Sequence, residues 1–199
     1  MTLENHIKLF DKISFFYSLF FKYQVNQYDK ILDKAKDFLK NDSPKTVLDI
    51  GCGTGALAYS LYKKNFIVTG IDASTKMIDN AKKLTHSNIS FLKMDISKGL
   101  NFANDSFDLV ISSYVAHGLP KNIRMQYYKE AYRCAKEKVI ILDYNSKRDI
   151  FTDIVEYFEQ GDYFNFIKNA KDEMQQITNN LSLYNVDKKA ALYIMEKTQ

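Results

Sequence analysis

Three glycines fall within five residues in Val47-Leu48-Asp49-Ile50-Gly51-Cys52-Gly53-Thr54-Gly55. Such a run lets the backbone turn tightly and lets a ligand approach without meeting a Cβ. A helix-capping turn needs only one glycine, so three point to a ligand loop. Gly51, Gly53 and Ala56 also fit the G-x-G-x-x-A spacing that wraps a pyrophosphate. Asp49 argues against that anion, because a carboxylate beside the loop repels it. An acid there suits a ligand carrying an ammonium group, such as the methionine portion of S-adenosylmethionine (SAM).

Two further acids follow at informative spacings. Asp72 closes Thr69-Gly70-Ile71-Asp72, about 20 residues past the glycines, where a carboxylate accepts hydrogen bonds from both hydroxyls of a ribose. That role serves NAD and SAM equally; capping the helix that starts at Ser74 is the alternative. Asp95, after Phe91-Leu92-Lys93-Met94, is placed to accept from an adenine amino group, with Ile96 offering the ring an apolar surface. A turn-forming Asp95 is the alternative there.

His117, in Ser112-Ser113-Tyr114-Val115-Ala116-His117-Gly118, follows an apolar run and is the candidate general base. Packing against, or capping, the neighbouring helix is its other reading. Tyr17, Tyr23, Tyr144 and Tyr163 are aromatic side chains able to wall an apolar acceptor pocket, and Tyr17 and Tyr163 are the leading candidates. Cys52 and Cys134 lie far apart, so they build neither a disulfide nor a metal framework, and no metal is expected.

Positioning these residues takes alternating strands and helices. Apolar runs predict strands at Thr46–Ile50, Phe66–Ile71, Ile89–Met94, Phe107–Ser113 and Lys138–Tyr144. Amphipathic stretches predict helices over Gly55–Lys64, from Ser74 to about Leu84, and over Pro120–Glu137. This alternation implies parallel strands with right-handed crossovers, a doubly wound α/β sheet whose ligand crevice lies at the strands' carboxyl ends. After a helical region around Asp149–Asn179, Leu181–Val186 and Ala190–Glu196 read as an antiparallel hairpin turning at Asp187-Lys188-Lys189. Before Pro44, helical spacing over Leu3–Lys40 predicts two helices with a break near Phe20–Tyr23, the second presenting Ile31, Leu32, Ala35, Phe38 and Leu39 on one face. The chain then reads as one domain: a helical lid (1–43), a cofactor-binding core (44–145), and a helical region with closing hairpin (146–199).

Taken jointly, the glycine segment, Gly70-Ile71-Asp72-Ala73-Ser74, Met94-Asp95 and Phe107-Asp108-Leu109-Val110 resemble class I SAM-dependent methyltransferases. The likeness is greatest to their small-molecule branch, which includes the ubiquinone/menaquinone C-methyltransferases, and runs from roughly Thr46 to Tyr144. It implies a Rossmann-like seven-stranded sheet closed by an antiparallel strand, with SAM as cofactor and S-adenosylhomocysteine as product. It further implies that Asp49 and Gly51 face the methionine portion, with Cys52 and Gly53 in the loop beneath. Asp72 would hold the ribose, Ala73 and Met77 would line the adenine side, Asp95 and Ile96 would hold the adenine, and Ser112 would lie beside the reactive methyl. The segment Phe10-Asp11-Lys12-Ile13…Phe16-Tyr17 is similar to the lid of the menaquinone-type enzymes, but Ser18 stands where they carry an acid. The Asn-Pro-Pro-Tyr motif of nucleic-acid N-methyltransferases is absent after the fourth strand.

Composition narrows the partners. Of 199 residues, 46% are hydrophobic and 26% charged, ordinary values for one globular core. The net charge is +4 and the pI about 8.8, yet only Arg124, Arg133 and Arg148 are arginines, which disfavours a nucleic-acid face. Met1–Phe10 does not read as a secretory signal, and Ile13–Phe21 is shorter than the roughly 20 apolar residues of a membrane span. The expectation is therefore a cytoplasmic methyltransferase, monomeric or homodimeric, acting on a small molecule. A tRNA or rRNA methyltransferase, a non-catalytic SAM-binding protein and, with Asp49 against it, an NAD-dependent dehydrogenase are the alternatives.

Overall fold

Short β-branched runs such as Thr-Val-Leu-Asp-Ile and Phe-Asp-Leu-Val-Ile cannot bury both faces in a helix, but they do so between two helical layers. The structure, a computed structural model, describes residues 19–39, 45–85, 88–147 and 161–198. Its strands are β1 (Thr46–Ile50), β2 (Ile67–Asp72), β3 (Ser90–Lys93), β4 (Phe107–Ser113), β5 (Ala135–Tyr144), β6 (Leu181–Asn185) and β7 (Ala190–Glu196). Its helices are α1 (Phe21–Lys34), α2 (Ala56–Lys63), α3 (Thr75–Thr85), α4 (Lys121–Cys134) and α5 (Tyr163–Gln175). The strands form one seven-stranded sheet in the order β3-β2-β1-β4-β5-β7-β6. The first five run parallel, and β7 pairs antiparallel with both β5 and β6. The expected doubly wound, Rossmann-like sheet with its terminal hairpin is therefore the fold. The order reverses between β1 and β4, which places the crevice at their carboxyl ends.

Each face of the sheet has its own core. Val47, Leu109, Ile111, Ile140 and Leu142 pack on α1 and α2 through Leu32, Ala35, Leu57 and Leu61. Leu48, Val110, Val139 and Ile141 pack on α4 and α5 through Tyr127, Ala131, Phe166 and Ala170. The α1 segment is joined to this body: Leu32, Ala35 and Leu39 are buried, and the Ser60 hydroxyl donates to the Val25 carbonyl.

Two helix ends differ from expectation: α1 stops at Lys34, short of the expected Lys40, so Ala35, Phe38 and Leu39 lie on the turns that follow it, and α4 stops short of Glu137. Helix α4 ends at Cys134 and strand β5 begins at Ala135, three residues before the predicted Lys138. Ala135 is fully buried and pairs with Phe107 across a register shift between Phe107 and Leu109. Ala-Lys-Glu-Lys is a sequence of good helix formers, but the sheet ladder and the burial of Ala135 outweigh a propensity difference below about 1 kcal/mol per residue. The expected helical region Asp149–Asn179 is seen as α5 from Tyr163; residues 149–160 lie outside the described residues.

The last helix is fastened by a buried ion pair. Arg124 is fully buried and donates Nε to Glu173 Oε2 (2.7 Å) and Nη2 to Glu173 Oε1 (2.9 Å). Its Nη1 reaches the Leu119 carbonyl (2.6 Å) and Asp162 Oδ2 (2.9 Å). A bidentate fork of this kind fixes geometry as well as charge. It holds the start of α5, and with it Tyr163, against the carboxyl end of the sheet.

Candidate cofactor and acceptor site

The glycine loop takes its shape from left-handed backbone. Gly51 has φ +71°, and a Cβ there would stand 2.4 Å from the Val115 side chain. Gly53 has φ +53°, but a Cβ there would meet nothing within 4 Å. Packing against Val115 thus requires glycine at the first position, while the second opens onto free space where a ligand can come close. The amides of Gly51 and Cys52 both donate to the Ile71 carbonyl (2.8 and 2.9 Å), which locks the loop to β2.

Asp49, on β1 just before this loop, is wholly buried, and neither carboxylate oxygen has a hydrogen-bond partner among the described residues. Burial, with the charge of Asp72 adding to it, pushes its carboxyl up to about 8. A buried acid without a partner is costly, and a cationic group brought to the loop removes that cost. The same burial, reinforced by Asp49 and Asp72, pushes the Cys52 thiol up, so Cys52 is no nucleophile.

Asp72 ends β2 and bridges the two loops: Oδ2 accepts from the Gly53 amide (3.0 Å) and Oδ1 from the Ser74 amide (2.8 Å). Ala73 beside it is half-buried, and Met77, on α3, is buried with its amide donating to Ser74 Oγ. Asp95 caps the short turn Ile96–Lys98, accepting from the Ser97 amide (3.0 Å) and hydroxyl (2.7 Å). Ile96 is half-buried at the head of that turn. Ser112 is buried at the end of β4, with its hydroxyl unpartnered among the described residues.

His117 stands on the short turn Ala116–Gly118 after β4, and its Nδ1 lies 2.8 Å from Oδ1 of the fully buried Asp143. Around the imidazole the aromatic rings meet edge to face: Tyr144 at 4.9 Å, Tyr114 and Phe166 at 6.4 Å. Tyr163 extends this wall, 5.1 Å from Tyr144. Tyr23, by contrast, is 63% exposed on α1. Tyr17 and the lid segment Phe10–Ser18 lie outside the described residues.

Three features of the site carry no signal in the sequence. Asp143 sits 26 residues from His117, and only the pairing of β4 with β5 brings them together. Tyr114 adopts φ +52°, a strained conformation for a bulky residue, held by its amide's bond to the Leu142 carbonyl. Tyr28 on α1 meets the Ser113 hydroxyl at 2.9 Å, so this helix reaches the carboxyl end of β4.

Residues 47–138 match the model of the methyltransferase domain family. A ubiquinone biosynthesis O-methyltransferase of Candida albicans is 37% identical over 92 residues, covering 43% of this chain and 28% of the relative. An uncharacterised RNA methyltransferase of Clostridium acetobutylicum is 31% identical over 116 residues, covering 55% and 25%. The magnesium protoporphyrin IX methyltransferase of Synechocystis, solved with S-adenosylhomocysteine, superposes with a TM-score of 0.62 at 15% identity, covering 87% of this chain and 83% of that one. The chain spans about half or less of the length of the first curated relatives it matches. Residues 47–138 are thus similar to a methyltransferase domain, and the sheet that carries them has the Rossmann-like α/β fold of the SAM-dependent methyltransferase class. The residues around its loop fit the cofactor of that class: an unpartnered buried acid for an ammonium, and an open approach at Gly53.

Proposed function

We propose that the protein transfers a methyl group from SAM to a small-molecule acceptor by direct displacement, releasing S-adenosylhomocysteine. The observation that carries this reading is Asp49, whose buried, unpartnered carboxyl lies beside a glycine loop. A pyrophosphate would leave that acid unsatisfied; an aminoacyl ammonium supplies its counter-charge, directly or through one ordered water. In this reading Asp49, Gly51, Cys52 and Gly53 hold the methionine portion and Asp72 the ribose. Ala73, Met77, Asp95 and Ile96 hold the adenine, and Ser112 lies behind the reacting centre.

Bound SAM supplies an electrophilic methyl on a sulfonium. The chain's task is to align the acceptor with it, and alignment of this kind lowers barriers by roughly 7–11 kcal/mol. Tyr114 and Tyr144, backed by the buried Tyr163, offer aromatic rings to a flat, apolar acceptor, in keeping with the ubiquinone biosynthesis named for one relative. His117 takes the acceptor's proton where attack requires its loss. The α1 helix, through Tyr28, covers the same end of the sheet.

An RNA acceptor is less well supported. Arg124 is buried against Glu173, and Arg133 is spent on Glu130 and on the carbonyls of Leu100 and Phe102, so neither adds to a basic surface. Among the described residues no helix is long and apolar enough to cross a membrane. A cytoplasmic monomer or homodimer is the setting we propose.

The ribose assignment is tested at Asp72. Losing charge-assisted bonds worth roughly 1.5–3 kcal/mol each should weaken SAM binding about tenfold or more in Asp72→Ala. Calorimetry that finds wild-type affinity in a folded variant removes Asp72 from the cofactor site.

A further inference from the structure

The loop leaving β5 and the turn of the closing hairpin are tied together at the carboxyl end of the sheet. Tyr144 pairs with Ala190 across β5 and β7, so the two loops start side by side. Asn145 is buried between them and donates its amide to the Lys189 carbonyl (2.8 Å) and Nδ2 to the Lys188 carbonyl (3.3 Å). Its Oδ1 accepts from the Lys147 amide (2.9 Å). One asparagine thus gathers the backbones of three lysines. Lys147 and Lys188 are exposed, and neither forms an ion pair among the described residues. Lys34, the last residue of α1, adds an ammonium beside the turn through its bond to the Val186 carbonyl (2.8 Å). Within residues 145–147 and 186–189 the one acid is Asp187. It closes the hairpin turn, its Oδ1 accepting the amides of Lys189 (2.7 Å) and Ala190 (2.8 Å).

This basic rim adjoins the aromatic rings of the candidate acceptor site. Tyr144, next to Asn145, meets Tyr114 edge to face at 5.4 Å, and Tyr114 is itself 37% exposed. Burial pushes the Tyr114 phenol up, with Tyr28 and then Asp187 adding to the effect, so the hairpin turn lies near that ring. We propose that Lys147 and Lys188 bind an anionic group, a carboxylate or a phosphate, carried by a methyl acceptor whose aromatic body lies against Tyr114. The inference rests on the methyltransferase reading and narrows its acceptor class. An exposed lysine paired with an anion contributes little alone and is screened by salt. Two lysines held on one backbone knot act on one anion together, and their field also draws an anionic acceptor toward the crevice. The rim therefore selects among flat acceptors, while the rings supply most of the contact.

Three probes of one shape test this. The full chain loaded with S-adenosylhomocysteine is titrated calorimetrically, at low salt and neutral pH, with 2-naphthoate, 2-naphthyl phosphate and the neutral 2-naphthalenemethanol. One or both anions should bind about threefold to tenfold more tightly than the alcohol, and the tighter of the two names the group. In the Lys147→Gln/Lys188→Gln protein that preference should fall to about twofold or less, with SAM affinity within about twofold of wild type. The substitutions leave the knot intact, because Asn145 holds only backbone atoms of these two lysines. Neither anion outbinding the alcohol in the wild-type protein would overturn the proposal. So would a preference that persists in the folded variant, which would place the anion elsewhere. Failure of the wild-type chain to bind SAM would instead strike the methyltransferase reading, and the probe comparison, repeated on the empty chain, would stand apart from it.

Discussion

Replacing His117 with alanine is expected to slow methyl transfer by about 10²-fold or more while leaving SAM affinity nearly intact. The size follows from what a positioned base contributes when the acceptor must shed a proton during attack. The split between turnover and binding follows from location: His117 sits after β4 beside Asp143, whereas the glycine loop follows β1 and Asp72 ends β2. Radiolabelled SAM, with a small-molecule cell extract as the source of acceptor, gives the comparison. Wild-type turnover in a folded His117→Ala protein would return this residue to a packing role.

Asp49→Asn should do two opposite things: weaken SAM binding by roughly 30-fold or more near neutral pH and stabilise the empty protein. The second effect comes from linkage. The Asp49 carboxyl ionises near 3.8 when unfolded and, because burial opposes its charge, at about 8 in the empty fold. Between those values the folded state holds a proton that the unfolded state has released, so stability from this group is full below the lower value and is lost as pH rises through the upper one. Asparagine carries no such dependence. Melting temperatures across this range should therefore diverge, with the variant's advantage growing toward alkaline pH. Parallel curves would show that Asp49 is already ionised and satisfied in the empty protein.

Much of the sheet was legible because the strands are short β-branched runs and the glycine loop marks β1 unambiguously. The closing hairpin was legible too, since two apolar runs separated by Asp187-Lys188-Lys189 leave no room for a crossover helix. Partnerships across the fold were not. Nothing in the spacing of Arg124 and Glu173 marks them as partners, yet both are buried where they meet. Asp143 reads as the last acid of a strand, and only the register of β4 with β5 sets it under His117. Tyr28 reads as one more aromatic residue of an amphipathic helix until the crossing of α1 brings its phenol to Ser113. Periodicity reports which face a side chain takes and says nothing of its partner.

Whether the loop after β1 holds SAM or a dinucleotide is decided by titrating the full chain calorimetrically with SAM and, separately, with NADH at neutral pH. Saturable one-to-one binding of SAM, lost or strongly weakened in Asp49→Asn, is expected, with no saturable binding of NADH. Saturable binding of NADH by the folded protein, or no saturable binding of SAM, would contradict it.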